Sequence, residues 1–307
     1  MATARRTDVE TSPPGPPHRR AYESGVATAP AGGTRPVALV TGAARRIGRV
    51  IALELAHAGF DIALHHRGNT PQSHVDAQAC AGELRAAGVR VELFGADLAD
   101  AAATAALLPD VARHFGRVDA VVNSASRFEY DSPADFDPLL LEAMLRSNAA
   151  APIVLAQALA AQVARQPALG APARATPCVV NILDQKLHNP NPDYFSYTLT
   201  KAALQHATVL LAQALAPAVR VCGVSPGVTL VSGPMDAAEF ARAHTLTALG
   251  RSSTPEDVAR AVRFLIESPA ITGIDLCVDG GQHLVGQSRD VLFLARAAAP
   301  DVAPSAP

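Results

Sequence analysis

The chain has 307 residues, nearly half of them apolar, with few aromatics and no tryptophan, enough for one large α/β domain or two small ones. A formal net charge of -2 gives no sign of a nucleic-acid or membrane-surface partner. Cys80, Cys178, Cys222 and Cys277 lie far apart with no C-x-x-C pair, which argues for buried free thiols in a reducing compartment and against a disulfide framework or a metal site.

Residues 1–35 mix Arg, Pro, Gly, Thr and Ala without periodicity and read as a flexible tail. They lack the apolar region of a secretory signal, and Asp8, Glu10 and Glu23 argue against a transit peptide, so a cytoplasmic protein is expected. No run reaches the ~20 apolar residues that span a bilayer. The stretch 149–164 comes closest and carries Gln157 and Gln162. From Pro36 onward, short apolar runs alternate with helical segments, the signature of βαβ units and an α/β fold with a parallel sheet.

A first strand over 36–41 runs into a turn from Gly42 to Gly48 and then into a helix. Such a turn aims the free N–H groups of a helix N-terminus at a phosphate. Gly42 suits the tight turn and Gly48 the close approach of helix to sheet, with Arg45, Arg46 and Ile47 between them. Arg46 stands where a dinucleotide fingerprint usually has its middle glycine. The second strand, 60–65, ends in His66 and Arg67, nineteen residues beyond Gly48, where an acidic residue would accept the ribose 2′-hydroxyl of NAD. A basic residue there welcomes a 2′-phosphate, so NADP is expected, with Arg45 as a second cation.

The third strand, 90–94, leads to Asp97 and Leu98. Asp97 is placed either to accept from an adenine amino group or to cap the next helix. A fourth strand ends at Asn123, and Ser124, Ala125 and Ser126 are small enough to let the backbone approach a flat cofactor. Phe128 either anchors its loop in the core or stacks on a planar substrate. Asn148 falls in a long helix over 138–164, where a buried Asn needs partners: a local structural hydrogen bond, or a water held behind the site.

The strand over 178–183 closes on Asp184, and the helix that follows carries Tyr197 and Lys201, four residues apart and so on one face. Pro226 and Gly227 form a turn at the next strand end. The segment 229–247 reads as a mobile substrate loop. Thr254, Pro255 and Asp257 read as N-cap, N1 and N3 of a helix reaching 266. A last strand ends near Asp279, and 297–307 reads as a second tail.

Taken in order, the Gly42–Gly48 turn, Asn123 to Ser126, Asn148, Tyr197 with Lys201, Ser225-Pro226-Gly227 and Val278 to Gly281 resemble the short-chain dehydrogenase/reductase superfamily over about 36–284. Within it the likeness is to pteridine reductases and dihydromonapterin reductases. It rests on Arg46, on the His66-Arg67 strand end, on Asp184 where most relatives have Ser, on Phe128 and on Tyr194. The resemblance implies a single Rossmann-type doubly wound domain over 36–288, with a mostly seven-stranded parallel sheet and helices on both faces, then a partly flexible extension over 289–307. It implies NADPH held by Gly42, Arg45, Arg46, Ile47, Gly48, His66, Arg67, Asp97, Leu98, Asn123 to Ser126, Lys201, Pro226 and Gly227. Asp184, Tyr197, Lys201 and Asn148 are the implied catalytic set; Arg46, Ser126, Phe128, Asp184, Tyr194 and Tyr197 would meet a pterin-like substrate. A homotetramer is also implied. Some pteridine reductases send a C-terminal Arg into a neighbouring subunit's site; Gly286 stands at about that place here.

Two chemical expectations follow. The Lys201 cation should favour the phenolate and lower Tyr197 from its ordinary value of about 10. An ionised Asp184 can only accept hydrogen bonds, which suits a substrate presenting N–H groups or an imine nitrogen protonated through Tyr197. NADPH-dependent reduction of a pterin C=N bond is therefore expected. The rivals are a carbonyl reductase of the same fold and a non-catalytic NADP-binding protein.

Overall fold

The protein is described from a computed structural model, which covers residues 35–165 and 176–297. Apart from Arg35, the expected N-terminal tail, most of the loop before Cys178, and the chain beyond Ala297 lie outside the described residues.

Seven strands pair in parallel in the order β3-β2-β1-β4-β5-β6-β7: Val37–Thr41, Asp61–His66, Val91–Gly95, Ala120–Asn123, Cys178–Ile182, Arg220–Pro226 and Asp275–Val278 for β1 to β7. β1, β2, β4, β5 and β6 are buried along their whole length, which is why they read as continuous apolar runs and not as alternating ones. Alternate side chains serve opposite cores. Ala38, Val40, Ile62 and Leu64 pack with Ile51 and Leu55 of α1 (Arg46–His57), Leu84 of α2 (Pro71–Ala86) and Val262 and Leu265 of α8 (Pro255–Glu267). Val37, Leu39, Val121 and Val179 pack on the other face with Leu107 and Val111 of α3 (Ala101–Phe115), Leu155 and Leu159 of α5 (Ala151–Arg165) and Ala212 of α6 (Phe195–Leu215). This is the doubly wound α/β arrangement that the resemblance implied.

The strand order reverses between β1 and β4, and such a switch point opens a crevice at the carboxyl ends of the strands. Thr41 lies opposite Asn123, and Asn123 opposite Asn181, so β1, β4 and β5 end level with one another at that crevice. The long helix expected over 138–164 is α4 (Pro138–Leu145), a π-helical turn (Arg146–Ala150) and α5 in succession. Its 28 residues are long and apolar enough to cross a membrane by length and composition, beyond what the sequence suggested; here Leu155, Ala156 and Leu159 are buried against the sheet.

The segment expected as a mobile loop over 229–247 contains a helix, α7 (Ala237–Thr245). A capping box closes its N-terminus, Asp236 accepting from Glu239 N–H and Glu239 from Asp236 N–H. Its apolar side is completed by Leu292 and Ala295 of α9 (Val291–Ala297), with Arg296 paired to Glu239 at 2.6 Å. Both the Asp236–Glu239 spacing and an apolar face at helical spacing are local signals that the loop reading passed over; a segment some fifty residues away supplies the surface against which that face is buried.

Candidate active site

The glycine turn works as a close-packed corner. Gly42 takes φ +65, and a Cβ there would come within 3.0 Å of Ala125 Cα; a Cβ at Gly48 would collide with the carbonyl oxygen of Gly42. Arg46, in the position usually given to glycine, also has a left-handed φ of 56, strained for a residue with a side chain, and its guanidinium donates to Val231 O at 2.8 Å. His65 locks the turn from below: its Nδ1 accepts from Gly42 N–H at 3.1 Å and its Nε2 faces Ala96 O at 3.0 Å. Burial lowers His65 to about 4, so the ring is neutral, which this donor–acceptor pattern requires.

From this turn a cleft of about 750 Å³ runs along the carboxyl ends of the strands. Its walls include Gly42, Arg45 to Gly48, His66, Arg67, Asp97, Leu98, Ser124 to Ser126, Phe128, Asp184, Tyr197, Lys201, Pro226 and Gly227. The residues named from sequence are thus gathered on one crevice, with Asn123, Asn148 and Tyr194 as exceptions. Asn123 is buried beneath it and donates to Asn181. Arg67 donates twice to Asp97 at 2.8 and 3.0 Å, and Arg45 pairs with Asp76 at 3.4 Å, so both expected phosphate cations have carboxylate partners here.

At the inner end of the cleft, Tyr197 donates its phenolic proton to Asp184 Oδ2 at 2.8 Å. Asp184 Oδ1 accepts from Lys186 N–H at 2.9 Å. Burial pushes the Asp184 carboxyl up, against the pull of these donors and of Lys201 and Lys186. Burial, and then the adjacent carboxylate, also push Tyr197 well above its ordinary value. This reverses the expectation that Lys201 lowers it. The Lys201 ammonium donates to Ile182 O at 2.7 Å and stands 5.7 Å from the Tyr197 ring centre. Burial lowers Lys201 itself to about 8. The pair Asp184–Tyr197 therefore holds at least one proton at neutral pH and titrates as a unit.

Asn148 sits in the π-helical turn behind this pair. Its Oδ1 accepts from Arg127 N–H at 2.7 Å, and its Nδ2 donates to Arg127 O and to Thr200 Oγ1. Asn148 thus ties the loop after β4 to α6.

A smaller cavity of about 150 Å³ opens beside Asp184 and Tyr197 and shares Arg46, Phe128 and Gly227 with the cleft. Phe128 is 38% exposed, stacks on Tyr194 at 4.3 Å and meets the Tyr197 ring edge-on at 4.7 Å. It is neither a buried loop anchor nor a free platform, but one side of an aromatic wall. Tyr194, also at a left-handed φ of 54, sits just ahead of α6 and lines this cavity; burial raises its phenol to about 12. Sequence reasoning missed Gln185, Lys186 and Asp290, which also line the cavity. The stretch after Asp184 carried no motif, and Asp290 is 104 residues from the lysine it pairs with.

A doubly wound parallel sheet, a glycine turn at its switch point and a Tyr–Lys pair beside the resulting cleft define an oxidoreductase of the dinucleotide-binding class. A family model described as enoyl-(acyl carrier protein) reductase matches residues 42–283, and the chain belongs to this family, within the short-chain dehydrogenases/reductases. It is 33% identical to pteridine reductase 1 of Leishmania tarentolae, over 82% of this chain and 97% of that protein. It is 32% identical to the putative ketoacyl reductase 2 of the granaticin polyketide synthase of Streptomyces violaceoruber, over 81% of this chain and 97% of that one. The crystal structure of FolM alternative dihydrofolate reductase 1 from Brucella canis, complexed with NADP, is similar with a TM-score of 0.74 and 33% identity, over 88% of this chain and 98% of that one.

Proposed function

We propose that the chain is an NADPH-dependent reductase of the C=N bond of a pterin ring. The observation that carries this reading is the carboxylate of Asp184, hydrogen-bonded to Tyr197 on the floor of a cavity walled by Phe128 and Tyr194. The lining of the cleft supports a dinucleotide: a turn in which a Cβ at Gly48 would collide with Gly42 O leads into the α1 N-terminus, whose free N–H groups suit a phosphate, and Arg67 and Arg45 on the cleft wall supply cations for a 2′-phosphate. The Brucella protein in complex with NADP supports the same cofactor. Bound there, NADPH supplies a hydride to the carbon of the C=N bond.

The remaining steps belong to the chain. Tyr197 holds the proton destined for the ring nitrogen, so that C=N plus hydride plus proton gives CH–NH. Asp184 keeps that proton in place beforehand and, through its raised affinity for protons, replaces it from solvent afterwards. Lys201, a cation below about pH 8, offsets the negative charge left on the phenol. Asn148 fixes the loop that carries Phe128 to the helix that carries Tyr197. The reading includes a homo-oligomer: α4, α5 and α6 leave Leu139, Ile153, Leu199, Val209 and Leu210 exposed, an apolar face that a second copy would cover.

The test is to mix the purified protein with NADPH and 7,8-dihydropterins and follow loss of NADPH absorbance. Turnover is expected, and Asp184→Ser should lower it by about a hundredfold or more, the usual scale for a lost acid–base partner. Unchanged turnover in that variant would remove Asp184 from the mechanism. A second reading, reduction of a ketone or acyl thioester, is favoured by the ketoacyl reductase relative. Turnover of a ketone but of no pterin would establish it instead.

A further inference from the structure

Tyr197 stands in the first turn of α6, the part of a helix that its own hydrogen bonds hold least. The residue that begins the helix gives little help: Tyr194 makes no side-chain capping bond and is itself left-handed. The cap comes from Asp131, 65 residues before Ser196 in the chain. Its carboxylate accepts from Ser196 N–H at 2.9 Å through Oδ1 and from the Ser196 hydroxyl through Oδ2. Its carbonyl oxygen accepts from Phe195 N–H at 3.2 Å. Asp131 is 2% exposed and Ser196 fully buried, so these bonds are made away from water.

We propose that Asp131 is a positioning residue for the reduction, holding the Tyr197 phenol in line with Asp184 by fastening the start of α6 to the loop after β4. The inference rests on Tyr197 as proton donor, whatever substrate takes the proton. That loop is tied to α6 twice. Asn148 joins Arg127 to Thr200 in the second turn of the helix, and Asp131 joins the loop's far end to the first. Between the two ties stands Phe128, whose ring meets Tyr197 edge-on at 4.7 Å.

A buried carboxylate is costly, and the positive end of a helix offsets only part of that cost. A residue next to the helix start could cap the same N–H groups from the surface. What Asp131 adds is a reference point. Asp184 follows β5 and Tyr197 belongs to α6, so their 2.8 Å contact lasts only while the start of α6 keeps its place over the sheet. β4 pairs with β5, and a loop rooted in β4 is therefore fixed relative to Asp184. Without Asp131 the first turn of α6 loses its acceptors and Tyr197 moves with it. Lys201 lies one turn deeper and is bonded to Ile182 O, so it stays. The loss falls on proton delivery and spares the cofactor.

Steady-state kinetics of the full chain decide the matter, read on whichever of the dihydropterin or ketone substrates the wild type reduces with NADPH. Asp131→Ala should lower kcat by about a hundredfold, the scale of an ångström's misplacement, with KM for NADPH changed by less than about twofold. Asp131→Asn keeps an acceptor for Ser196 N–H and a partner for its hydroxyl, and should restore kcat to within about threefold of wild type. A thermal melt identifies loss of fold; should Asp131→Ala unfold, Ser196→Ala carries the test, with kcat lowered about tenfold and KM for NADPH unchanged. A folded Asp131→Ala with a lower melting temperature and native kcat overturns the proposal and leaves a cap that serves stability alone. An Asn variant as impaired as the Ala variant overturns it too, since charge and not the tie would then carry the effect. Native activity in Tyr197→Phe overturns the proton-donor reading itself, and a wild type that reduces neither substrate overturns both.

Discussion

Replacing Lys201 by Met is expected to stabilise the cofactor-free protein while removing its activity. The ammonium is buried, and its fall from 10.5 to about 8 means that the folded state disfavours the charged form. At about 1.4 kcal/mol per pH unit, holding that charge at pH 7 costs roughly 3 kcal/mol of stability. Methionine has similar length and no charge. It forfeits the hydrogen bond to Ile182 O, worth about 1 kcal/mol, so a net gain of about 2 kcal/mol remains. The sign with pH follows from proton counting. Between pH 8 and 10.5 the unfolded lysine binds more protons than the folded one, so wild-type stability rises with pH relative to the variant. The advantage of Lys201→Met should therefore shrink by about 2 kcal/mol between pH 7 and pH 9.5. Urea unfolding of both proteins without cofactor, at the two pH values, measures this directly. A variant less stable than wild type at pH 7, by an amount that does not change with pH, would refute the reasoning and mark Lys201 as a net structural contributor.

Arg67→Glu replaces a partner of Asp97 by a second carboxylate at the mouth of the cleft. KM for NADPH should rise at least about tenfold, with a smaller change for NADH, because only the former carries a 2′-phosphate; equal changes for both would detach Arg67 from cofactor choice. Gly48→Ala drives a methyl group into the carbonyl oxygen of Gly42. Fluorescence titration should show NADPH affinity reduced by more than about tenfold; native affinity would mean that the turn relaxes freely.

Several parts of the site were legible in the sequence because they are local. Strands buried on both faces are largely apolar, so the βαβ rhythm of β1, β2, β4, β5 and β6 shows in the residue order. A glycine turn between strand and helix, and a phenol one helical turn from an ammonium, are short-range patterns whose geometry follows from their spacing. The capping box at Thr254 and Asp257 is of the same kind. Pairings between distant segments had no such signature: Arg67 with Asp97, His65 with the Gly42 amide, and α7 with α9.

Asp184, Tyr197 and Lys201 show where the division falls. Residue order determined that a carboxylate, a phenol and an ammonium meet at one strand end, and that the chain is a dinucleotide-dependent reductase. It did not determine their protons. Desolvation depends on everything packed around a group, and a Coulomb contribution depends on distance. Folding buried all three groups, placed the phenol 2.8 Å from Asp184 and sent Lys201 to a backbone carbonyl, so the phenol rises where the sequence suggested a fall. The same folding brought Asp290, far along the chain, to the cavity that Asp184 opens, and that placement only the tertiary structure decided.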